Sequence, residues 1–275
     1  MPINYLKKIQ LGEFNLDGYR ISPSIALEAF IEGFYVFSRD LNDHKQLIFN
    51  DGYPTIVFLQ NSEDTVSITD QNTSSTVKGA WASAGSVKNI YVNYNNPTAQ
   101  LFIVRFHPTA FHQLFNVSAS YFQKQPIFPL EKIAGPNNFS TADFFKAKSV
   151  QDKIAFVEAY AQQALKSTHT PNVLQQTLDY IHKIKGNSTV SAVSKDVGVS
   201  YKWLERSFLR NIGLLPKEYI QLQRFIHAYL ELVGNKEVDL MRIAVNTGYY
   251  DANHFLKDFK VYTGKTPMEY LKSTF

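Results

Sequence analysis

Cysteine is absent from the chain. That excludes disulfides, thiol nucleophiles, cysteine-bound zinc and iron–sulfur centres, and the acceptor thiol that DNA-repair methyl transfer needs. No stretch approaches about 18 uncharged apolar residues, so no membrane-spanning helix and no membrane partner are expected. The opening Met1-Pro2-Ile3-Asn4-Tyr5-Leu6-Lys7-Lys8 lacks the apolar segment and cleavage site of a secretory signal, and a cytoplasmic protein is expected. There is no Gly-rich phosphate loop, no Ser-His-Asp arrangement and no catalytic carboxylate pair. His44, His107 and His112 do not form the paired strand histidines with a following carboxylate that a barrel metal site requires. No catalytic residue, metal or cofactor is therefore expected, and the chain reads as a non-enzyme.

What is present is a globular composition. Of the 275 residues, 44% are hydrophobic and 14% aromatic, enough for two domains with cores of their own. The net charge of +4 is unevenly placed: residues 171–275 hold 14 Lys and Arg against 10 Asp and Glu, whereas residues 1–170 are balanced. The excess cation lies where an anionic backbone would be met.

From residue 19 to 106 the texture is that of strands and turns. Thr55-Ile56-Val57-Phe58-Leu59 and Leu101-Phe102-Ile103-Val104-Arg105-Phe106 are rich in β-branched and aromatic residues. Turn signals at 50–54, 71–75 and 93–97 separate such runs, which predicts an antiparallel barrel or sandwich. A helix over 23–33, with Ser22 as cap, is expected to interrupt it early. Beyond 107 a short helix over 108–115, a loop over 126–138 and a helical stretch over 141–166, broken near Ser149, are expected. The polar segment 167–171 is the expected linker, and from Asn172 onward nearly everything reads as helix. The fold class is α+β. Residues 1–110 form a β-barrel domain, 111–168 a helical connecting segment, and 172–273 an all-α domain.

The all-α segment repeats itself. Ser200, Leu204, Phe208, Gly213, Pro216 and Tyr219 recur 51 residues later as Asp251, Phe255, Phe259, Gly264, Pro267 and Tyr270. Val190, Val193 and Gly198 recur 50 residues later as Leu240, Ile243 and Gly248. Each copy reads as a helix, a turn at glycine and a capped second helix, the layout of a helix-turn-helix. Leu204 and Phe208 must turn inward, which leaves Tyr201, Lys202, Glu205 and Arg206 outward. Arg favours guanine O6 and N7, Glu accepts from cytosine N4 or pairs with a neighbouring cation, and Lys serves base or phosphate. In the second copy Phe255 and Phe259 turn inward, and Ala252, Asn253, Leu256 and Lys257 outward. Asn253 suits adenine, Ala252 or Leu256 a thymine methyl, and Lys257 and Lys260 phosphates. This less polar face is expected to discriminate bases more weakly, and His254 is expected to be a partly buried packing residue. Between the copies, 216–233 reads as one helix of roughly 27 Å, stiff enough to hold two recognition helices about one DNA turn apart.

Residues 172–273 resemble the DNA-binding domain of AraC/XylS-family transcription regulators. The resemblance is carried by Ile243-Ala244, by Gly248-Tyr249-Tyr250-Asp251-Ala252-Asn253-His254-Phe255-Leu256-Lys257-Asp258-Phe259-Lys260 and by Gly264-Lys265-Thr266-Pro267-Met268-Glu269-Tyr270. Ser194 departs from the alanine usual in the first helix, and Tyr249 replaces the commoner phenylalanine. The resemblance implies that Lys202, Glu205, Arg206, Ala252, Asn253, Leu256 and Lys257 face bases of double-stranded promoter DNA. It further implies an activator with a cupin-like barrel that binds a small effector, homodimerisation through 141–166, and contact with RNA polymerase. The barrel aromatics Tyr35, Phe37, Phe49, Tyr53, Phe58, Trp81, Tyr91 and Phe102 suit a ligand pocket or plain core, so no effector residue is named. Two other readings stay open: a barrel enzyme with an accessory DNA-binding tail, and a DNA-binding dimer without a ligand.

Overall fold

The structure, a computed structural model, describes residues 1–14, 17–40, 45–70, 73–133, 139–164, 172–235 and 237–274. His44, the 167–171 linker and parts of the expected 71–75 turn, 126–138 loop and 141–166 helix lie outside the described residues. The chain divides into two units, Met1–His169 and Thr170–Phe275.

The first unit begins with helix α1 (Ile3–Leu11), which the sequence pattern did not announce, followed by strands β1 (Gly18–Ile21) and β2 (Ile31–Ser38). Strands β3 (Lys45–Ile48), β4 (Thr55–Phe58), β5 (Thr65–Thr69), β6 (Ser74–Lys78), β7 (Ala80–Ser83), β8 (Ile90–Tyr94) and β9 (Gln100–Phe106) come next. Helices α2 (Ala110–Leu114) and α3 (Tyr121–Lys124), strand β10 (Ile127–Pro129), and helices α4 (Leu130–Ile133), α5 (Thr141–Lys146) and α6 (Val150–Ala164) complete it. The strands form two antiparallel sheets, ordered β1-β2-β9-β4-β7-β10 and β3-β8-β5-β6.

Register explains the core. Phe34 and Val36 lie opposite Val104 and Phe102, which lie opposite Ile56 and Phe58, and these oppose Ala82 and Ala80. This one face of the larger sheet joins Phe111, Leu114, Phe115, Phe122, Phe144, Val157 and Ala161 of the helices in a single apolar cluster. Phe144 stacks on Phe58 with ring centroids 3.7 Å apart. By alternation, Tyr35, Phe37, Thr55, Val57, Trp81, Ser83, Leu101, Ile103 and Arg105 occupy the opposite face, and they too are buried. Tyr5 of α1 stacks on Phe37 there at 4.4 Å. The Met1 amine donates to the Phe49 carbonyl at 3.0 Å, and burial pushes its pKa down to about 5.

Two local expectations give way to tertiary pairing. Within 23–33 the only helical turn is a short 3-10 segment, Ile25–Leu27, and the chain from Ile31 is strand. Pairing with β9 from Ile31 to Ser38, across a bulge between Ile31 and Gly33, buries that run on both faces, which a lone helical stripe does not match. The expected 126–138 loop contains β10, which pairs with β7 through Ile127↔Ser83 and Pro129↔Trp81, and then α4. Proline is tolerated because β10 is an edge strand.

A buried ion cluster sits among the apolar residues. Arg105 donates both terminal nitrogens to Asp51, at 2.9 and 2.6 Å, and its Nε lies 3.1 Å from Glu32. Its guanidinium also stacks 4.2 Å from the Tyr53 ring centroid. Burial opposes the charge, but Asp51 and Glu32 outweigh it and hold Arg105 protonated. Removing one partner of such a cluster strands the others in low dielectric. Arg105→Ala is therefore expected to lower the unfolding free energy of this unit by about 3–5 kcal/mol, read as a shift of its denaturation midpoint. An unchanged midpoint would contradict a paired, desolvated cluster.

Candidate nucleic-acid interface

The second unit is helical: α7 (Asn172–Lys183), α8 (Val190–Asp196), α9 (Tyr201–Asn211), α10 (Pro216–Gly234), α11 (Leu240–Asn246), α12 (Ala252–Thr263) and α13 (Pro267–Thr274). The starts of α8, α9, α11 and α12 are each set by a short polar side chain. Thr189 accepts from the Ala192 N–H at 3.2 Å, Ser200 from Trp203 at 3.2 Å, and Asp239 from Met241 and Arg242 at 3.1 and 3.0 Å. Asp251 accepts from the His254 N–H at 2.8 Å, and that bond holds its carboxyl below the usual range. These caps satisfy amides that would otherwise be orphaned at the helix starts.

The two helix-turn-helix units are α8–α9 and α11–α12, and both pack on α10. Pro216 starts α10, and its 19 residues span about 28 Å. Near its N-terminus Tyr219 meets Phe208 of α9 edge-on at 5.6 Å and shares a 2.7 Å hydrogen bond with His182 of α7. Further along, Phe225 stacks on Tyr262 of α12 at 4.3 Å and meets Phe259 at 5.7 Å. Tyr229 shares a 3.2 Å hydrogen bond with Tyr270 of α13, and burial drives its phenol pKa well up. Arg224, also on α10, donates to the carbonyls of Gly186 and Ser188 and lies 5.7 Å from the Tyr249 ring. One helix thus ties the α7–α8 turn to the turn of the second unit.

The recognition-helix side chains sort cleanly. Leu204, Phe208, Phe255 and Phe259 are fully buried. On α9, Tyr201, Lys202 and Arg206 are exposed and Glu205 is half-exposed; on α12, Asn253, Lys257 and Lys260 are exposed and Ala252 and Leu256 half-exposed. Each set shares one outward face of its own helix. Glu205 raises the Tyr201 phenol pKa by its charge and by accepting its hydrogen bond, so its partner is Tyr201. His254 is not a packing residue: its side chain is 60% exposed, and its Nδ1 lies 2.9 Å from Asp251. The cap recruits it to the surface. Ser194, the departure in the first helix-turn-helix, donates to the Val199 carbonyl, a local use for a hydroxyl in that turn. Tyr249 buries its ring and donates to Asp258 at 3.1 Å, a partner phenylalanine could not use.

Several exposed residues escaped sequence reasoning. Tyr250, at the entrance to α12, is 90% exposed, and Met241, Val245 and Val261 are also at the surface. Arg210 extends the outward face of α9. The 51-residue repeat held the signal, because it sets Arg210 opposite Val261. In the first unit, a cavity of about 410 Å³ is lined by residues that include Lys78, Glu63, Glu131, Phe145 and Lys146. Lys78 and Glu63 pair on its wall at 2.7 Å.

This architecture is that of a helix-turn-helix DNA-binding domain, and residues 193–273 match the family model described as "Helix-turn-helix domain". The matched domain is of the AraC type. Residues 19–128 match a second model described only as a domain of unknown function. Among relatives, the Msm operon regulatory protein of Streptococcus mutans is 29% identical over 121 residues, 43% of either chain. The HTH-type transcriptional regulator YidL of Escherichia coli is 33% identical over 86 residues, 31% of this chain and 29% of that protein. The matched stretch thus spans under half the length of these relatives. Among solved structures, ToxT from Vibrio cholerae aligns over 93% of this chain and 97% of its own, with 13% identity and a TM-score of 0.46. The C-terminal domain of the response regulator yesN from Fusobacterium nucleatum covers 36% of this chain and 98% of its own, at 26% identity and a TM-score of 0.34.

The two turn glycines make unequal demands. Both take left-handed φ, +70° at Gly198 and +83° at Gly248, but a Cβ at Gly198 would meet nothing within 4 Å. A Cβ at Gly248 would overlap the Asn187 amide, its Cγ only 2.6 Å away. Gly198→Ala is expected to cost about 1–2 kcal/mol from backbone strain alone. Gly248→Ala should cost more in thermal denaturation, and Asn187→Ala beside it should remove the surplus. Equal costs for both glycines would refute the contact.

Proposed function

We propose that the chain is a sequence-specific transcription regulator whose α9 and α12 read adjacent major grooves of double-stranded promoter DNA, with an effector controlling the N-terminal unit. The observation that carries the reading is the pair of outward faces, each cation-bearing, on helices packed against one continuous rod. A rod of about 28 Å suits two readers spaced near one DNA turn, roughly 34 Å. The cation excess of residues 171–275 supplies the sequence-independent part of the affinity.

Roles follow from side-chain chemistry. Arg206, Glu205, Lys202 and Asn253 contact base edges, Ala252 and Leu256 meet thymine methyls, and Tyr201, Lys257 and Lys260 position the backbone. The 410 Å³ cavity is of a size that holds a small effector, and effector binding there or within the sheets would raise the melting temperature of the chain. Activation, homodimerisation through α5 and α6, contact with RNA polymerase and a cytoplasmic setting belong to the same reading. It assigns no catalytic residue.

The test is duplex binding by the full chain at its genomic footprints. Arg206→Ala is expected to weaken the preferred duplex by about 1–3 kcal/mol and relax preference at one position. Lys260→Ala should weaken all duplexes alike and reduce the slope of log affinity against log salt by about 0.9. Titration by fluorescence anisotropy reads both. Parental affinity and slope in both variants would place the DNA elsewhere.

A further inference from the structure

The two recognition helices are internal copies, and their outward differences carry information. At the 51-residue spacing, Leu204 and Phe208 match Phe255 and Phe259, all buried. Outward, the pairs diverge: Lys202 stands opposite Asn253, Glu205 opposite Leu256, Arg206 opposite Lys257 and Arg210 opposite Val261. The α9 face therefore holds three cations and a carboxylate steadied by Tyr201. The α12 face holds Ala252, Leu256 and an exposed Val261 around Asn253, Lys257 and Lys260, with Tyr250 projecting beside them where the first copy has Val199.

We propose that the chain recognises a composite site of two chemically unlike halves: a G·C-bearing groove read by α9, and a groove read by α12 through thymine methyl groups. The proposal rests on the regulatory reading above and adds which bases each half holds.

Electrostatics decides the first half. Glu205 repels phosphate and gains only where a base amino group donates to it, cytosine N4 being the usual donor to a carboxylate and adenine N6 the other. The guanine paired with that cytosine presents O6 and N7, the acceptors that suit Arg206. Both side chains are thus satisfied by the same kind of base pair, whereas an A·T pair offers no match for Arg206 to bind in two places.

Desolvation decides the second half. Leu256 placed against a cytosine or adenine amino group removes water without replacing its hydrogen bond, which is costly. Thymine alone offers an apolar group in the major groove, and its partner adenine offers the donor–acceptor pair that suits Asn253. Asn253 and Leu256 therefore agree on A·T pairs. A methyl contact is a smaller discriminator than a bidentate hydrogen bond, so the second half tolerates more variation per position. Because the halves differ, one copy of the chain binds its site in a single direction.

The experiment uses the full chain. Preferred duplexes are selected from a randomised pool, and in each half separately thymine is replaced by uracil or guanine by 7-deazaguanine. Uracil should weaken binding about fourfold per methyl lost in one half only. The deaza base should weaken it about tenfold or more in the other half only. Leu256→Ala should reduce the response to uracil to what Ala252 still contributes, and Arg206→Ala should reduce the response to the deaza base; the base analogues themselves test the parent protein without any substitution. Tolerance of uracil in both halves, or equal responses of the halves to each analogue, would overturn the composite site while leaving the regulator reading in place. Selection that returns no preferred duplex would overturn the regulator reading itself.

Discussion

The second unit depends on α10 being buried from two directions at once. Tyr219, Ile220 and Leu222 near its start, and Phe225, Ile226, Tyr229 and Leu232 further on, are all buried, so few positions along it are free to change. A helix with apolar residues on so much of its circumference has no stable existence alone and must be covered on more than one side. The aromatic contacts to α9, α12 and α13 do this and bring both helix-turn-helix units onto a common backbone. The buried phenols of Tyr219, Tyr229 and Tyr249 each find a hydrogen-bond partner. Arg224 adds polar fastening, binding carbonyls of the α7–α8 turn beside the ring of Tyr249. The relative placement of α9 and α12 is thereby a property of packing, not of a hinge.

The first unit solves a different problem. The central strands of its larger sheet are buried on both faces, which usually demands apolar side chains throughout. One face obeys that rule and merges with the helices through Phe58, Phe102 and Phe144. The other accepts charge because Arg105 pairs with both Asp51 and Glu32, Arg20 lies 3.6 Å from Glu32, and Gln10 donates a further 2.6 Å bond to Asp51. Ion clusters of this kind contribute little net stability but punish every arrangement that separates their members. The contrast with α10 is instructive: aromatic fit orients the helical unit, while the sheet unit adds charge pairing to aromatic packing.

Within the repeat, the scaffold and the outward surface have parted. Caps, turn glycines, inward aromatics and the proline that starts α10 and α13 hold the same places in both copies. The outward positions were freed from packing and could take up different chemistry, which is why Glu205 and Leu256 occupy equivalent sites.

Much of this was legible in the sequence because the forces involved are local. Helix caps, the positive-φ glycines and the i, i+4 spacing of Leu204 with Phe208 act within a few residues, so Ser200, Asp251 and the inward aromatics declared themselves. Periodicity likewise placed the break between α5 and α6. Other features answer only to distant partners. Ile31–Ser38 became strand because β9 lies alongside it, and Ile127–Pro129 did so because β7 offers an edge. Helix α1 stayed hidden because it is only nine residues long and its burial comes from the sheet at Phe37. Arg105 read as one polar residue in an apolar strand until the fold brought Asp51 and Glu32 to it from 54 and 73 positions away in the chain. His254 looked like core and proved to be surface because its aromatic neighbours turn inward while Asp251 holds it out. The doubled helix-turn-helix, its caps and its outward side chains were already fixed by the order of residues, since short-range sterics and hydrogen bonds decide those. Which strands pair, which charges are buried together and how one helix unites the two helix-turn-helix units emerge with folding, since each depends on surfaces that exist only after the chain has closed on itself.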